Sequence, residues 1–118
     1  MQVEDIKVFI PSLDYDKSIS FYNQLGFNCD YVTDDLTLCK NGECYFFIQR
    51  FYNQQLAENL MLQICVSDIQ EAYALAQKSQ YKTKLSEIQN EPWASVFYLW
   101  GPAGELLHIT QLNNPQLQ

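Results

Sequence analysis

The sequence has little of what several functional classes require. It contains one histidine, and seven Lys and Arg residues stand against fourteen Asp and Glu, giving a formal net charge of −7. This balance argues against nucleic acids and anionic membrane surfaces, whose attraction depends on Lys and Arg, and favours a cationic partner. No apolar run approaches the roughly 20 residues that span a bilayer, and the first residues lack a signal peptide's basic region. We therefore expect a cytoplasmic protein.

Metal-binding cysteine motifs are also missing. The four cysteines, Cys29, Cys39, Cys44 and Cys65, form no C-x-x-C pair, and the histidine is distant in sequence from all of them. Structural zinc needs four ligands at recognisable spacings. We expect reduced, partly buried thiols and no zinc site.

What the sequence does contain is one order of elements, strand, helix and three strands, repeated twice. Asp14 and Asp68 are predicted N-caps of the two helices, and Gly26 is the predicted end of the first. The predicted strands of the first unit are Ile6–Ile10, Phe27–Val32, Leu36–Cys39 and Cys44–Gln49. Those of the second unit are Met61–Val66, a weak strand near Lys82–Ile88, Val96–Trp100 and Leu106–Gln111.

The two units also align. Val8–Asp14 matches Leu62–Asp68, and Asn41–Ile48 matches Ala103–Thr110 in the same order. We therefore infer an internal duplication. It predicts an α+β domain over residues 1–118 with two tandem βαβββ modules at about 5–52 and 58–112. The C-terminal residues 113–118 are predicted to form a frayed tail.

Alternation along the predicted strands separates two faces. The uniformly apolar face should pack on the helices and holds Val8, Ile10, Tyr45, Phe47, Leu62, Ile64, Val66, Leu107 and Ile109. The second face mixes polar and apolar groups and holds Lys7, Phe9, Cys44, Phe46, Ile48, Met61, Gln63, Cys65, Leu106, His108 and Thr110. Such a face fits a ligand cavity, a surface covered by a partner subunit, or both.

The duplicated βαβββ unit resembles the vicinal oxygen chelate superfamily, which includes glyoxalase I, extradiol dioxygenases and bleomycin-resistance proteins. The chain is most similar to the bleomycin-resistance proteins, from about Val8 to Thr110. The matching motifs are Asp14 through Phe21-Tyr22 to Leu25-Gly26-Phe27, the stretch Asp30–Asp35, and Glu91–Phe97 leading into Gly101–Glu105 and His108. This resemblance implies a curved mixed sheet around a cleft.

The superfamily's metalloenzymes bind one divalent ion through His and Glu at four strand positions. By the alignment these positions are Lys7, Phe46, Met61 and His108, of which only His108 is a suitable ligand. We therefore expect neither a metal nor any other cofactor. For His108, a catalytic role is disfavoured because no motif supplies an orienting carboxylate or a nucleophile, whereas ligand contact and a structural role stay open.

The resemblance implies a metal-free binding protein that sequesters a cationic or planar aromatic compound, such as a glycopeptide antibiotic, without turnover. Bleomycin-resistance proteins are acidic homodimers with exchanged terminal strands, and they hold cationic drug molecules in grooves at the subunit interface without turnover. The tryptophan that stacks on the drug corresponds to Trp93, whereas the opposing aromatic position holds Leu36. Tyr98 and Trp100 offer further aromatic surface or fill a dimer core.

The acidic stretch is either a solvated loop or a contact for a cationic ligand. The predicted ligand-binding residues are Trp93, Phe9, Phe46, Met61, Gln63, Tyr98, Trp100, His108, Asp30, Asp34, Asp35 and Leu36. The alternative functions are a metal-dependent lyase or oxygenase, and a non-catalytic accessory or interaction domain.

Overall fold

The computed structural model describes residues 1–113, so residues 114–118 of the predicted frayed tail lie outside the described part of the chain. The first half contains β1 (Phe9–Pro11), α1 (Tyr15–Gln24), β2 (Asn28–Thr33), β3 (Leu36–Asn41), β4 (Cys44–Gln49) and α2 (Gln54–Glu58). The second half contains β5 (Met61–Cys65), α3 (Ile69–Lys78), β6 (Lys84–Leu85), β7 (Gln89–Asn90), β8 (Ala94–Trp100) and β9 (Leu106–Leu112). The α+β class is confirmed, and α2 and β7 are additional to the predicted elements.

The strands form two mixed sheets, one in each half of the chain. The first has the order β1-β4-β3-β2, and the second has the order β5-β9-β8-β6, with β7 also paired to β8. The pairs β1/β4 and β5/β9 are parallel, and the remaining pairs are antiparallel. The same strand arrangement therefore occurs twice.

Both long helices begin where the caps predict. The Asp14 carboxylate accepts a hydrogen bond from the backbone N–H of Lys17, and the Asp68 carboxylate accepts two from the first turn of α3. Gly26 follows α1 with φ of 103°, a left-handed conformation that favours glycine. The first strand is shorter than predicted, because residues 1–8 form an exposed arm outside it.

The two halves share one hydrophobic core. Phe21 and Tyr22 of α1 and Phe46 of β4 belong to the same buried cluster as Phe97 and Leu107 of the second sheet. Each sheet thus turns one face towards this core. We call the opposite face of each sheet its open face.

Residue parity on β4 corrects the sequence prediction. Phe46, predicted to contact ligand, is 7% exposed, and its ring packs edge-on against Tyr22 and Phe27. Ile48 is also buried, whereas Tyr45 and Phe47, predicted to pack on the helix, lie on the open face. The cause is a difference in the length of the two hairpin loops. Two residues lie between the last paired residues of β3 and β4, whereas five lie between the last paired residues of β8 and β9. The two copies are therefore out of register by one residue at this strand.

A buried carboxylate joins the two halves. Glu105, in the turn between β8 and β9, is 0% exposed. Its carboxylate accepts a hydrogen bond from the Tyr22 hydroxyl at 2.8 Å and from the Ala103 backbone N–H at 3.0 Å. The Tyr52 hydroxyl donates to the Ala103 carbonyl at 3.1 Å. Two tyrosines of the first half thus hold one turn of the second.

Across residues 1–113, the helices are too short or too polar to cross a membrane.

Candidate ligand-binding site

The open face of the second sheet carries three neighbouring aromatic rings. Gln63, His108 and Tyr98 form one cross-strand row over β5, β9 and β8, and Trp100 lies in the next row. The ring of Tyr98 meets that of His108 edge to face at 5.0 Å and lies 6.3 Å from that of Trp100. His108 Nε2 is buried and has no hydrogen-bond partner. The face therefore combines stacking surface with an unsatisfied polar atom.

A cation already lies against this aromatic group. Lys84 of β6 pairs directly with Trp100, and its ammonium lies 4.8 Å from the centroid of the Trp100 ring. This distance is within the range of an attractive cation–π interaction. The surface accordingly accepts positive charge.

The open face of the first sheet is also aromatic. The rings of Phe9 and Phe47 lie 4.9 Å apart on neighbouring strands, and Leu38 and Asp30 continue their cross-strand row. Leu36 lies further along β3 on the same face and is half-buried. The Asp30 carboxylate is 3.8 Å from the ammonium of Lys40. The open face of the first sheet is therefore apolar except for Asp30, whose charge is paired with that of Lys40.

The other two predicted aspartates lie in the turn between β2 and β3. The Asp34 carboxylate accepts a hydrogen bond from the Tyr31 hydroxyl at 2.9 Å, and this bond raises the pKa of Tyr31. The Asp35 carboxylate lies 3.8 Å from Arg50 Nε, while the Arg50 guanidinium stacks on the Tyr15 ring. Cations and donors of the same chain therefore already face this acidic turn.

Trp93 lies at the end of a loop and is 49% exposed. A tight turn leads into β8. In this turn the backbone N–H of Glu91 donates to the Ala94 carbonyl, and the backbone N–H of Ala94 donates to the Glu91 carbonyl. The backbone N–H of Asn113 donates to the Trp93 carbonyl at 2.9 Å. Hydrogen bonds on both sides thus fix the backbone that carries this exposed indole.

The structure divides the predicted residues into groups. Met61, Gln63, Tyr98, Trp100 and His108 share the open face of the second sheet. Phe9, Asp30 and Leu36 share that of the first, and Trp93, Asp34 and Asp35 occupy loops. Only Phe46 lies in the core.

Sequence reasoning missed two residues of these faces. Phe47 takes the place predicted for Phe46, and Lys84 covers Trp100. The signal for Lys84 was the weak strand over residues 82–88, whose pairing partner the sequence does not specify.

The residues at the four positions that the sequence alignment assigned to a metal do not fit a divalent ion. With the corrected register, Phe47 rather than Phe46 corresponds to His108, and neither phenylalanine ring is a metal ligand. Over residues 1–113, no group of three or more His, Cys, Asp and Glu side chains is arranged to hold a metal. His108 lies instead among Tyr98 and Gln63.

A groove of about 390 Å³ opens on the helix side, between the two halves of the chain. Leu25 and Phe27 line it from the first half, and Ile64, Leu75 and Phe97 line it from the second. Among the residues described, none of the predicted ligand-binding residues lines it. The groove therefore lies apart from the predicted ligand-binding residues.

Comparison with known proteins identifies the fold. No protein-family model matches the sequence, and no curated protein matches it. The solved structures do: a bleomycin resistance determinant encoded on the transposon Tn5 has a TM-score of 0.76 at 18% identity, covering 95% of this chain and 100% of its own. The fold is that of the bleomycin-resistance proteins.

Two further structures extend this likeness. The bleomycin-binding protein from bleomycin-producing Streptomyces verticillus, complexed with copper(II)-bleomycin, has a TM-score of 0.74 at 21% identity, covering 93% of this chain and 98% of its own. An antibiotic binding protein from Streptomyces sp. CB03234 has a TM-score of 0.77 at 17% identity, covering 96% and 99%. The bleomycin-resistance fold predicted from the sequence is thereby confirmed.

Proposed function

We propose that this chain is a metal-free binding protein that captures a cationic, planar aromatic small molecule without turning it over. The observation that carries the proposal is the aromatic group Tyr98, Trp100 and His108, against which Lys84 already places a positive charge. A ligand that is both flat and cationic satisfies two interactions there, ring stacking and cation–π attraction. Bleomycin, bound by the proteins of similar fold, is the first candidate.

The polar atoms of this face favour binding over chemistry. His108 Nε2 is unpartnered but buried, so the exposed amide of Gln63, its neighbour in the cross-strand row, is the polar group that a ligand meets first. A general base needs an orienting group and a reacting proton within hydrogen-bond reach. The neighbours of His108 are instead an aromatic ring and a neutral amide.

The binding site is a groove between two copies of the chain. Met61 is 64% exposed and Phe9 is 48% exposed, so both open faces leave large apolar side chains in water. The arm of residues 1–8 also exposes Val3 and Ile6 and precedes the short strand β1. A homodimer that exchanges these arms covers both open faces and brings the first sheet of one chain to the second sheet of its partner.

Charge contributes at long range. The formal charge of −7 raises the local concentration of a cation around each chain. Asp30 and Asp35 lie beside Lys40 and Arg50, so direct ion pairs with them require those cations to move. Stacking on Trp93 and Trp100 is therefore the main source of specificity.

Isothermal titration with metal-free bleomycin tests the proposal. We expect one drug molecule per chain, and Trp100→Ala should weaken binding about tenfold or more, because stacking on one aromatic ring contributes about 1–3 kcal/mol. Leu56→Ala removes an exposed apolar side chain on α2 and should leave binding unchanged. Heat no greater than dilution at high micromolar drug would eliminate bleomycin as the ligand.

Two measurements test the remaining parts. Analytical ultracentrifugation should give a dimer for the full chain and a monomer for a variant lacking residues 1–7. A monomeric full-length chain would contradict the groove between subunits. Elemental analysis should give no stoichiometric zinc, nickel, manganese or iron, and a stoichiometric metal would favour the enzymatic alternative instead.

A further inference from the structure

Two cysteines lie directly opposite each other in the first sheet. Cys29 of β2 and Cys39 of β3 are cross-strand partners, and their sulfur atoms are 2.8 Å apart. Both are free thiols joined by a hydrogen bond. Directly opposed residues of antiparallel strands have Cα atoms about 4.5–5.5 Å apart, inside the range that a disulfide requires. A covalent bond between them needs only a small movement of the two sulfur atoms.

We infer that Cys29 and Cys39 form a reversible disulfide when a peroxide reaches the half-exposed Cys29. In the first step the Cys29 thiolate attacks one oxygen of hydrogen peroxide, the O–O bond breaks, and Cys29 sulfenic acid and hydroxide form. In the second step the Cys39 sulfur attacks the Cys29 sulfur, the S–O bond breaks, and the hydroxyl group leaves as water with the proton of the Cys39 thiol. The two thiols are oxidised by two electrons, and the peroxide is reduced to two molecules of water.

The environments of the two thiols assign their order. Cys29 is half-buried, and its pKa is lowered by a hydrogen bond from Cys39. Cys39 is fully buried, and the same hydrogen bond, together with burial, raises its pKa. The thiolate is the reactive form of cysteine. Because Cys29 is partly exposed and Cys39 is fully buried, a peroxide in solution reaches Cys29 first, so Cys29 is the attacking residue and Cys39 the resolving one.

A disulfide between Cys29 and Cys39 would cross-link an edge strand to its neighbour in the sheet. Within residues 1–113, β2 is the last strand of its sheet and pairs only with β3, and a bulge interrupts that pairing between Tyr31 and Thr33. A disulfide between Cys29 and Cys39 closes the loop that carries Asp30, Asp34 and Asp35. Closing a short loop lowers the entropy of the unfolded chain and so stabilises the folded one.

The experiment uses the full chain with Cys44→Ser and Cys65→Ser, which removes the two exposed thiols. Treatment with hydrogen peroxide should lower the mass by about 2 Da and remove both remaining thiols, and dithiothreitol should restore them. The melting temperature should rise by about 10 °C, as expected for a loop of this length. Adding Cys39→Ser should instead leave Cys29 as a sulfenic acid that dimedone traps.

Three outcomes would overturn the inference. The first is a Cys29 sulfinic acid beside an unreacted Cys39, which would mean that the second thiol does not reach the first. The second is a disulfide that joins two chains. The third is a lower melting temperature of the oxidised chain, which would show that the bond distorts the hairpin. None of these outcomes depends on which small molecule the chain binds.

Discussion

Replacing Tyr22 by phenylalanine removes one hydroxyl from the joint between the two halves. That hydroxyl donates to the Glu105 carboxylate at 2.8 Å, and both side chains are 0% exposed. The variant leaves a buried carboxylate with one donor fewer, and hydrogen bonds to charged groups contribute about 1.5–3 kcal/mol. We expect a loss of about 2 kcal/mol in the free energy of unfolding, which lowers the urea midpoint by about 1 M.

The loss should depend on pH. Burial raises the pKa of the Glu105 carboxyl, and hydrogen bonds from Tyr22 and the Ala103 backbone oppose that rise. Because the folded pKa lies above the unfolded one, the stability due to Glu105 is complete below the unfolded pKa and is lost as pH rises through the folded pKa. Tyr22→Phe raises the folded pKa further. The variant should therefore lose more stability at about pH 7 than at about pH 4.

Two controls make this reasoning refutable by urea unfolding at both pH values. Tyr52→Phe removes a hydroxyl that donates to the neutral Ala103 carbonyl, so its cost should be about 1 kcal/mol or less and independent of pH. In a Glu105→Gln background, which has no titrating carboxyl, Tyr22→Phe should lose its pH dependence. Equal losses for the two tyrosine variants, with equal pH dependence, would refute the role assigned to Glu105.

Three further predictions concern other sites. Gly101→Ala should lower stability by about 1–3 kcal/mol in thermal unfolding, because an added Cβ would overlap the buried Glu105 carboxylate; wild-type stability would contradict this close packing. Lys84→Gln should strengthen binding of a cationic ligand about two- to fivefold in calorimetry, because the competing ammonium is gone; unchanged affinity would place the ligand elsewhere. Phe46→Ala should lower the free energy of unfolding by about 3–5 kcal/mol, whereas Phe47→Ala should mainly weaken ligand binding. The reverse pattern would favour the strand register predicted from the sequence.

The local parts of the fold were predictable from the sequence. Asp14 and Asp68 define helix starts because a capping carboxylate acts on backbone N–H groups within three residues of it. The strand Cys44–Gln49 was also predicted at its observed bounds, whereas its hairpin partner β3 extends two residues beyond the predicted Leu36–Cys39. Signals of this kind involve neighbours in the chain, so they need no knowledge of tertiary packing.

The faces of β4 and the partners of Glu105 were not predictable in the same way. Tyr45-Phe46-Phe47-Ile48 is apolar at every position, so alternation gives no information about which side faces the core. Aligning the two copies of the unit at their turns then shifted the alignment of β4 by one residue, because the two hairpin loops differ in length. The bond from Tyr22 to Glu105 spans 83 residues of sequence and has no local pattern.

The corrected parity strengthens the case for stacking over ion pairing as the basis of recognition. Moving Phe47 to the open face places it against Phe9, so both sheets now present adjacent aromatic rings to the surface. The acidic groups of the first sheet and its turn, by contrast, already have cations or hydroxyl donors of the same chain beside them. A surface ion pair contributes little, and exchanging one cation for another contributes less. Selection of a ligand therefore depends on its flat aromatic part, and the charge of the chain mainly increases the rate at which a cation arrives.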